Sequence, residues 1–317
     1  EYIPENSTIA NKSNGDINSL NEFFDKIYIL NLQRRDDRWS QTKNTLEYHN
    51  INGFIQWMGI DGKTNPIHNL YNKYLSTPWN YYDIKYNRKA IPSAGSYAIL
   101  LSMRELLTHA INNKYKNILV LQDDVFFIKN FYKEFNKKKQ YIPQDWKLIY
   151  FGCSQHNWSS IKLEPNYYKL NGTTDGAFAI GYDSSIFKEL LQQINFFNIP
   201  FDSGPLRYVQ TLYKNKCIAF YPNLIIANLE NSDCRKGRDQ NNYANLFKWK
   251  MDNYLTNLNI IKTKQNTILK QITNCTADNI SKVEKLLKPL VSIIVTTYNS
   301  SKYLEYSIDS LLRQSYS

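Results

Sequence analysis

Short apolar runs alternate with helix-patterned segments from residue 26 onward, and few folds accommodate that alternation. The strand-like runs are KIYILNL (26–32), FIQWMGIDG (54–62), the stretch 117–122 that opens VLQDDVFF, KLIYFG (147–152), GAFAIG (176–181) and CIAFYP (217–222). Between them lie DDRWSQTKNTLEYHN (36–50), which starts on Asp, and AGSYAILLSMRELLTHAINN (94–113). In the second of these, the apolar positions, Ala98, Leu101, Leu106 and Ile111 among them, recur at about three to four residues, the spacing of a helix face. SSIFKELLQQI follows Asp183, a capping residue, and GPLRYVQTLYK (204–214) carries Pro205 near its first turn. Strands alternating with helices predict an α/β fold around a mostly parallel central sheet. Residues 63–93, with scattered Pro, Asn and Tyr, read as a long loop of the functional kind.

In such sheets ligands collect at the carboxyl ends of the strands. Asp123 and Asp124 stand at one of those ends, after Ile118, Leu119, Val120 and Leu121 and before Val125, Phe126 and Phe127. An unpaired buried carboxylate is costly. Either the strand has ended at a turn, or a cation meets the pair. Successive strand residues face opposite ways, so Gln122 and Asp124 share a face and Asp123 does not. Oxygen ligands of this kind suit Mg²⁺ or Mn²⁺ beside a nucleotide diphosphate.

Other candidates lie at neighbouring strand ends. In NLQRRDDR (31–38), Arg34, Arg35 and Arg38 match phosphate oxygens, or pair with Asp36 and Asp37 in a basic turn. Asp61 and Gly62 form either a ribose or base contact or a plain turn. Asp202 in PFDSGP is a general base or part of a helix cap, and Asp175 in TTDGAF carries the same two readings. Glu230 and Asp233 stand beside Arg235, Lys236 and Arg238, in a loop that closes over phosphates or is simply charged surface. His49, His68, His109 and His156 have no ligand spacing. Phosphate-loop and dinucleotide glycine fingerprints are absent.

The net charge of +11 suits anionic partners, whether nucleic acid, phosphates or a membrane surface. Apart from KKK at 137–139 the basic residues are dispersed, so no nucleic-acid partner is expected. No apolar run reaches the roughly 20 residues of a membrane helix. Cys153, Cys217, Cys234 and Cys275 lack CxxC spacing and read as free buried thiols rather than a zinc or redox site. Residues 1–21 read as a polar arm, and the chain opens on Glu1 rather than Met, which fits removal of an upstream segment. Residues 22–242 form the α/β domain and 243–289 an amphipathic, lysine-rich helical connector. LVSIIVTTYN and YLEYSIDSLLRQ, within 290–317, begin a second domain, since one strand and one helix bury no core of their own.

IYILNLQRRDDRW, GIDGKT, AGSYAILLSMRELL, ILVLQDDVFF, LIYFG, GAFAIGYDSSIFKELL and PFD occur in the order seen in glycosyltransferase family 25. That family contains the lipooligosaccharide and procollagen galactosyltransferases, and residues 24–240 resemble it. The resemblance implies a GT-A fold, a UDP-sugar donor, Mn²⁺ (or Mg²⁺) and inversion at the anomeric carbon. By position, Asp123 and Asp124 match its acidic motif, with a metal role. Asn31, Arg34, Arg35 and Arg38 match its nucleotide-side motif, Asp61-Gly62 its Asp-Gly turn and Asp202 its Pro-x-Asp. Gln122 stands where the family has Glu, and Ser102-Met103 where it has Ser-His. VSIIVTTYNSSKYLEYSIDSLLRQSY resembles the opening of glycosyltransferase family 2, so the second domain would be another transferase. The expected activity is metal-dependent, inverting transfer of a galactose- or glucose-type hexose from a UDP-sugar to a hydroxyl on a glycan or protein, with Asp202 first and Asp175 second as base. A nucleotide-sugar or glycan-binding module of weak turnover is the alternative that Gln122 keeps open. A basic nucleic-acid-binding protein is the third class.

Overall fold

The computed structural model describes residues 16–230, 232–233 and 238–256, with the single positions 260, 263 and 266. The second-domain opening at 290–317, Cys234 and Cys275 lie outside the described residues. So does most of the arm expected over 1–21; where description begins, Ile17 and Leu20 are already buried in the core. Cys153 and Cys217 are free and buried.

Seven strands form the central sheet, in the order β2 (Ile55–Met58), β1 (Lys26–Asn31), β3 (Asn117–Gln122), β7 (Thr174–Asp183), β5 (Leu148–Gln155), β8 (Cys217–Phe220) and β6 (Tyr167–Lys169). β1 pairs parallel with both β2 and β3, and β5 with β8. Only β7 and β6 run against the rest, each antiparallel to its neighbours. The mostly parallel α/β sheet expected from the alternation is therefore present.

The apolar runs exist because both faces of the sheet are covered. In β3, Leu119 and Leu121 enter one core cluster while Ile118 and Val120 enter the other, all four at most 1 % exposed. The first face packs against α1 (Asp36–Tyr48), α5 (Phe131–Lys139) and α8 (Gln240–Phe247) through Leu46, Phe131, Phe135, Ala244 and Phe247. The second packs against α4 (Ala94–Asn112), α6 (Phe187–Asn195) and α7 (Arg207–Leu212) through Leu106, Leu190 and Val209.

Two expectations need correction. Residues 63–93 are not an irregular loop: they contain α2 (Asn65–Leu75) and α3 (Tyr81–Tyr86). Pro66 lies in the first turn of α2, and Asn80 with Asp83 forms a reciprocal capping box on α3. Residues that look like loop punctuation are here helix starts. Asp83 is fully buried and accepts from the Ala90 and Asn80 amides and from Lys89 Nζ, which fixes the whole excursion.

The helical character expected from 243 is interrupted after Phe247 and is present again at positions 260, 263 and 266. Met251–Asn253 is a 3₁₀ turn and β10 (Tyr254–Leu255) a strand. β10 joins β4 (Val125–Ile128) and β9 (Ile225–Ala227) in a small antiparallel sheet of order β10-β4-β9. The first compact unit accordingly runs to Thr263. Among the described residues no helix is long and apolar enough to cross a membrane.

Candidate functional site

A cavity of about 470 Å³ opens at the carboxyl ends of β1 and β3. Of the eleven candidate residues from the sequence, ten line it: Asn31, Arg34, Arg38, Asp61, Gly62, Gln122, Asp123, Asp124, Asp175 and Asp202. Arg35 lines a small adjoining pocket instead.

β3 ends at Gln122, and Asp123 and Asp124 form the turn into β4. Strand alternation therefore does not govern the pair, and the placing of Asp124 with Gln122 against Asp123 is corrected. Both acids turn to one cation. Arg38 Nη1 donates to Asp123 Oδ1 at 3.0 Å and to Asp124 Oδ2 at 3.1 Å. Asp123 Oδ2 accepts from Asn31 Nδ2 at 2.7 Å, and Asn31 Oδ1 accepts from Gln56 Nε2. The backbone of the turn is held too: Thr42 donates to Asp123 O and the Asn228 amide to Asp124 O. Asp124 Oδ1 is shielded from solvent with no hydrogen-bond partner among the described residues. Burial pushes the Asp124 carboxyl up to about 7, with Arg38 opposing and Asp123 and Asp233 adding to the rise.

Arg34 Nε donates to Asp61 at 2.6 Å and its Nη2 pairs with Asp233 at 2.7 Å. Arg35 forks onto Asp37 and reaches Asp233 through Nη1 at 2.5 Å. Of the two local acids expected to pair with these arginines, Asp37 does so, with Arg35. Three guanidiniums thus meet five carboxylates, from Asp37, Asp61, Asp123, Asp124 and Asp233. When all are ionised, two negative charges stand uncompensated, although the chain as a whole is basic. As they stand, no three acid, His or Cys side chains among the described residues are grouped to hold a metal ion. The surplus charge and the orphaned Asp124 Oδ1 nevertheless have the chemistry a hard divalent cation requires.

Asp61 sits in a tight turn, accepting from the Lys63 amide. Gly62 is there for close approach: a Cβ would fall 2.5 Å from Gly95 N, in the first turn of α4. Ser102 accepts from the Ile60 amide and so fastens the same strand end to α4, while Met103 is buried in the core.

Asp175, on β7, is held bidentately by Arg207, Nε to Oδ1 at 2.8 Å and Nη2 to Oδ2 at 2.6 Å. Burial raises its pKa, with Arg207 opposing. Asp202 opens a π-helical turn, Asp202–Leu206, that runs into α7. It makes no capping bond, and among the described residues its carboxylate accepts only from Ser203 Oγ. The cap readings of both aspartates are thereby replaced. Sequence reasoning missed Arg207, one π-helical turn after Asp202. It also gave no role to His68 and His156, which line the cavity. Asp233, read as part of a loop that closes over phosphates or is charged surface, is the acceptor on which the three arginines converge.

A mostly parallel α/β sheet with acids at its carboxyl edge, beside an arginine cluster, is consistent with a GT-A-like fold. Residues 24–175 match the family model described as Glycosyltransferase family 25 (LPS biosynthesis protein). It is 26 % identical over 208 residues to procollagen galactosyltransferase 2 of Homo sapiens, covering 61 % of this chain and 33 % of that protein. The Mus musculus procollagen galactosyltransferase 2 is 25 % identical over 213 residues, with the same shares. The match therefore spans about a third of the length of these curated relatives. Asp202, Arg207 and Asp233 lie beyond the family match.

Proposed function

We propose that this domain is an inverting glycosyltransferase that moves a hexose, galactose before glucose, from a UDP-sugar to a hydroxyl of a glycan or protein acceptor. The observation that carries the reading is the convergence in one cavity of the arginine cluster, the acidic pair and Asp202. Arg34 and Arg35 would receive the donor's phosphates, since a guanidinium fork matches phosphate oxygens. Asp202 is the carboxylate best placed as base, because both oxygens of Asp175 are committed to Arg207. The acceptor oxygen attacks the anomeric carbon, the bond from that carbon to the phosphate oxygen breaks, and the hydroxyl proton passes to Asp202. Asp175 and Arg207 hold the wall beside it.

Asp124, through its orphaned oxygen, and then Asp123 would hold Mn²⁺ or Mg²⁺. When bound, that ion would offset negative charge on the departing UDP. The surplus of two carboxylates within the network supports this, and it also argues against a nucleic-acid surface here. Gln122, where the family has an acid, favours the second reading, a donor-binding domain of weak turnover.

A screen of UDP release over several UDP-sugars, with Mn²⁺ or with EDTA, tests the proposal. Release from UDP-galactose or UDP-glucose that EDTA suppresses is the expected result. Donor binding without release would favour the second reading, and neither binding nor release would overturn both.

A further inference from the structure

Asp233 occupies the meeting point of three arginines that lie some two hundred residues upstream. Its Oδ1 accepts from Arg34 Nη2 at 2.7 Å and its Oδ2 from Arg35 Nη1 at 2.5 Å, with Arg38 Nη1 at 3.5 Å. The Asp233 side chain is only 14 % exposed. This is not the local Arg–Asp pairing of a basic turn, for which Asp37 already serves Arg35. One oxyanion with its two oxygens shared between two guanidiniums repeats how arginines grip a phosphate. Asp233 also lines the cavity.

Each arginine has another carboxylate partner: Asp61 for Arg34, Asp37 for Arg35, and Asp123 with Asp124 for Arg38. Removing Asp233 would therefore leave the arginines positioned but with donors unsatisfied. It would also cut the surplus negative charge of the network from two to one. An incoming diphosphate meets like charge and occupied donors as long as Asp233 is ionised and in place.

We propose that Asp233 is an internal anion that competes with a diphosphate for Arg34 and Arg35 and thereby sets the affinity of the site for its donor. Binding is then an exchange of one oxyanion for another across the same guanidiniums. This rests on reading the arginine cluster as the phosphate seat of the donor.

The test is calorimetric titration of the full chain with inorganic pyrophosphate, free of divalent ions and at fixed ionic strength, with UDP titrated separately. Asp233→Asn should bind pyrophosphate about tenfold or more tighter than the parent. Asp233→Ala, with no oxygen left to compete, should gain at least as much. Asp37→Asn removes the same charge from the exposed side of Arg35 and should change the affinity far less. Unchanged or weaker pyrophosphate binding in both Asp233 variants, each folded by circular dichroism, would overturn the proposal. So would an equal gain in Asp37→Asn, which would mark a general charge effect. Tighter pyrophosphate with no UDP binding in any protein would uphold the competitor and sink the nucleotide reading instead.

Discussion

At the scale of single residues, the question raised by Asp123 and Asp124 is how two carboxylates tolerate an apolar setting. The answer is Arg38, one nitrogen of which serves both, with Asn31 taking a third oxygen. The fourth oxygen, on Asp124, is left over. The same accounting separates Asp175 from Asp202. Both Asp175 oxygens are engaged by Arg207, whereas Asp202 accepts from Ser203 on one oxygen and keeps the other for the cavity. Asp202→Asn should lower the transfer rate by about a hundredfold or more while UDP affinity stays within about twofold. Asp175→Asn should instead destabilise the fold, by about 1–3 kcal/mol, because it weakens a charge-assisted pair that packs β7 onto α7. Steady-state kinetics, UDP titration and thermal unfolding of the two variants distinguish these outcomes.

At the scale of elements, the site is held by strand ends and by the small sheet laid across them. β9 lies so close to β5 that a Cβ on Gly152 would fall 1.7 Å from Ile225 O. The residue after β9, Asn228, bonds the backbone of Asp124. Beneath this sheet, the end of α1 buries His49 against the ring of Phe127, with centroids 4.4 Å apart and Nε2 unpartnered. Burial pushes the His49 imidazole down to about 4 from 6.5. Above pH 6.5 the ring is neutral whether the chain is folded or unfolded, and its contribution is fully present. Between pH 6.5 and 4 the unfolded chain binds a proton that the folded chain refuses. Stability should therefore fall with falling pH across that window, by up to roughly 1.4 kcal/mol per unit. Denaturant unfolding at stepped pH should show the loss, and His49→Phe should flatten it.

At the scale of the whole molecule, five co-directed strands bring their carboxyl ends to one edge, and residues far apart in the chain meet there. The unit that does this is longer than its motifs suggest. Phe247, Trp249 and Tyr254 are all buried in the first core cluster, and the Tyr254 hydroxyl bonds Asn223 O. A protein ending at Thr263 should keep one cooperative unfolding transition, whereas one ending at Asn242 should lose it or fail to remain soluble. Thermal denaturation of the two truncations, followed by near-ultraviolet circular dichroism, checks this. A long-range charge effect also belongs here: a chain of net charge +11 builds a network with two carboxylates in excess, so its bulk charge does not describe its site.

Periodicity and strand-end position were enough to predict the α/β sheet, its ligand edge and nine of the residues lining the cavity, and the family resemblance added Asn31. Those features follow from local pattern, because burial on two faces requires apolar runs and the carboxyl edge follows from chain direction. The sequence also carried the family resemblance over 24–240, in ordered motifs, and the family model matches 24–175 of it. It did not show that Asp123 and Asp124 leave the strand before pairing, since a turn inside an apolar stretch leaves no periodic trace. The helices at 65–75 and 81–86 were hidden because their Pro and Asn starts carry the same composition as a loop. The partners that decide the chemistry, Arg38 for the acidic pair, Arg207 for Asp175 and Asp233 for the arginines, were settled only by the tertiary fold. Ion pairing depends on distances across the fold, and those distances are unrelated to separation along the chain.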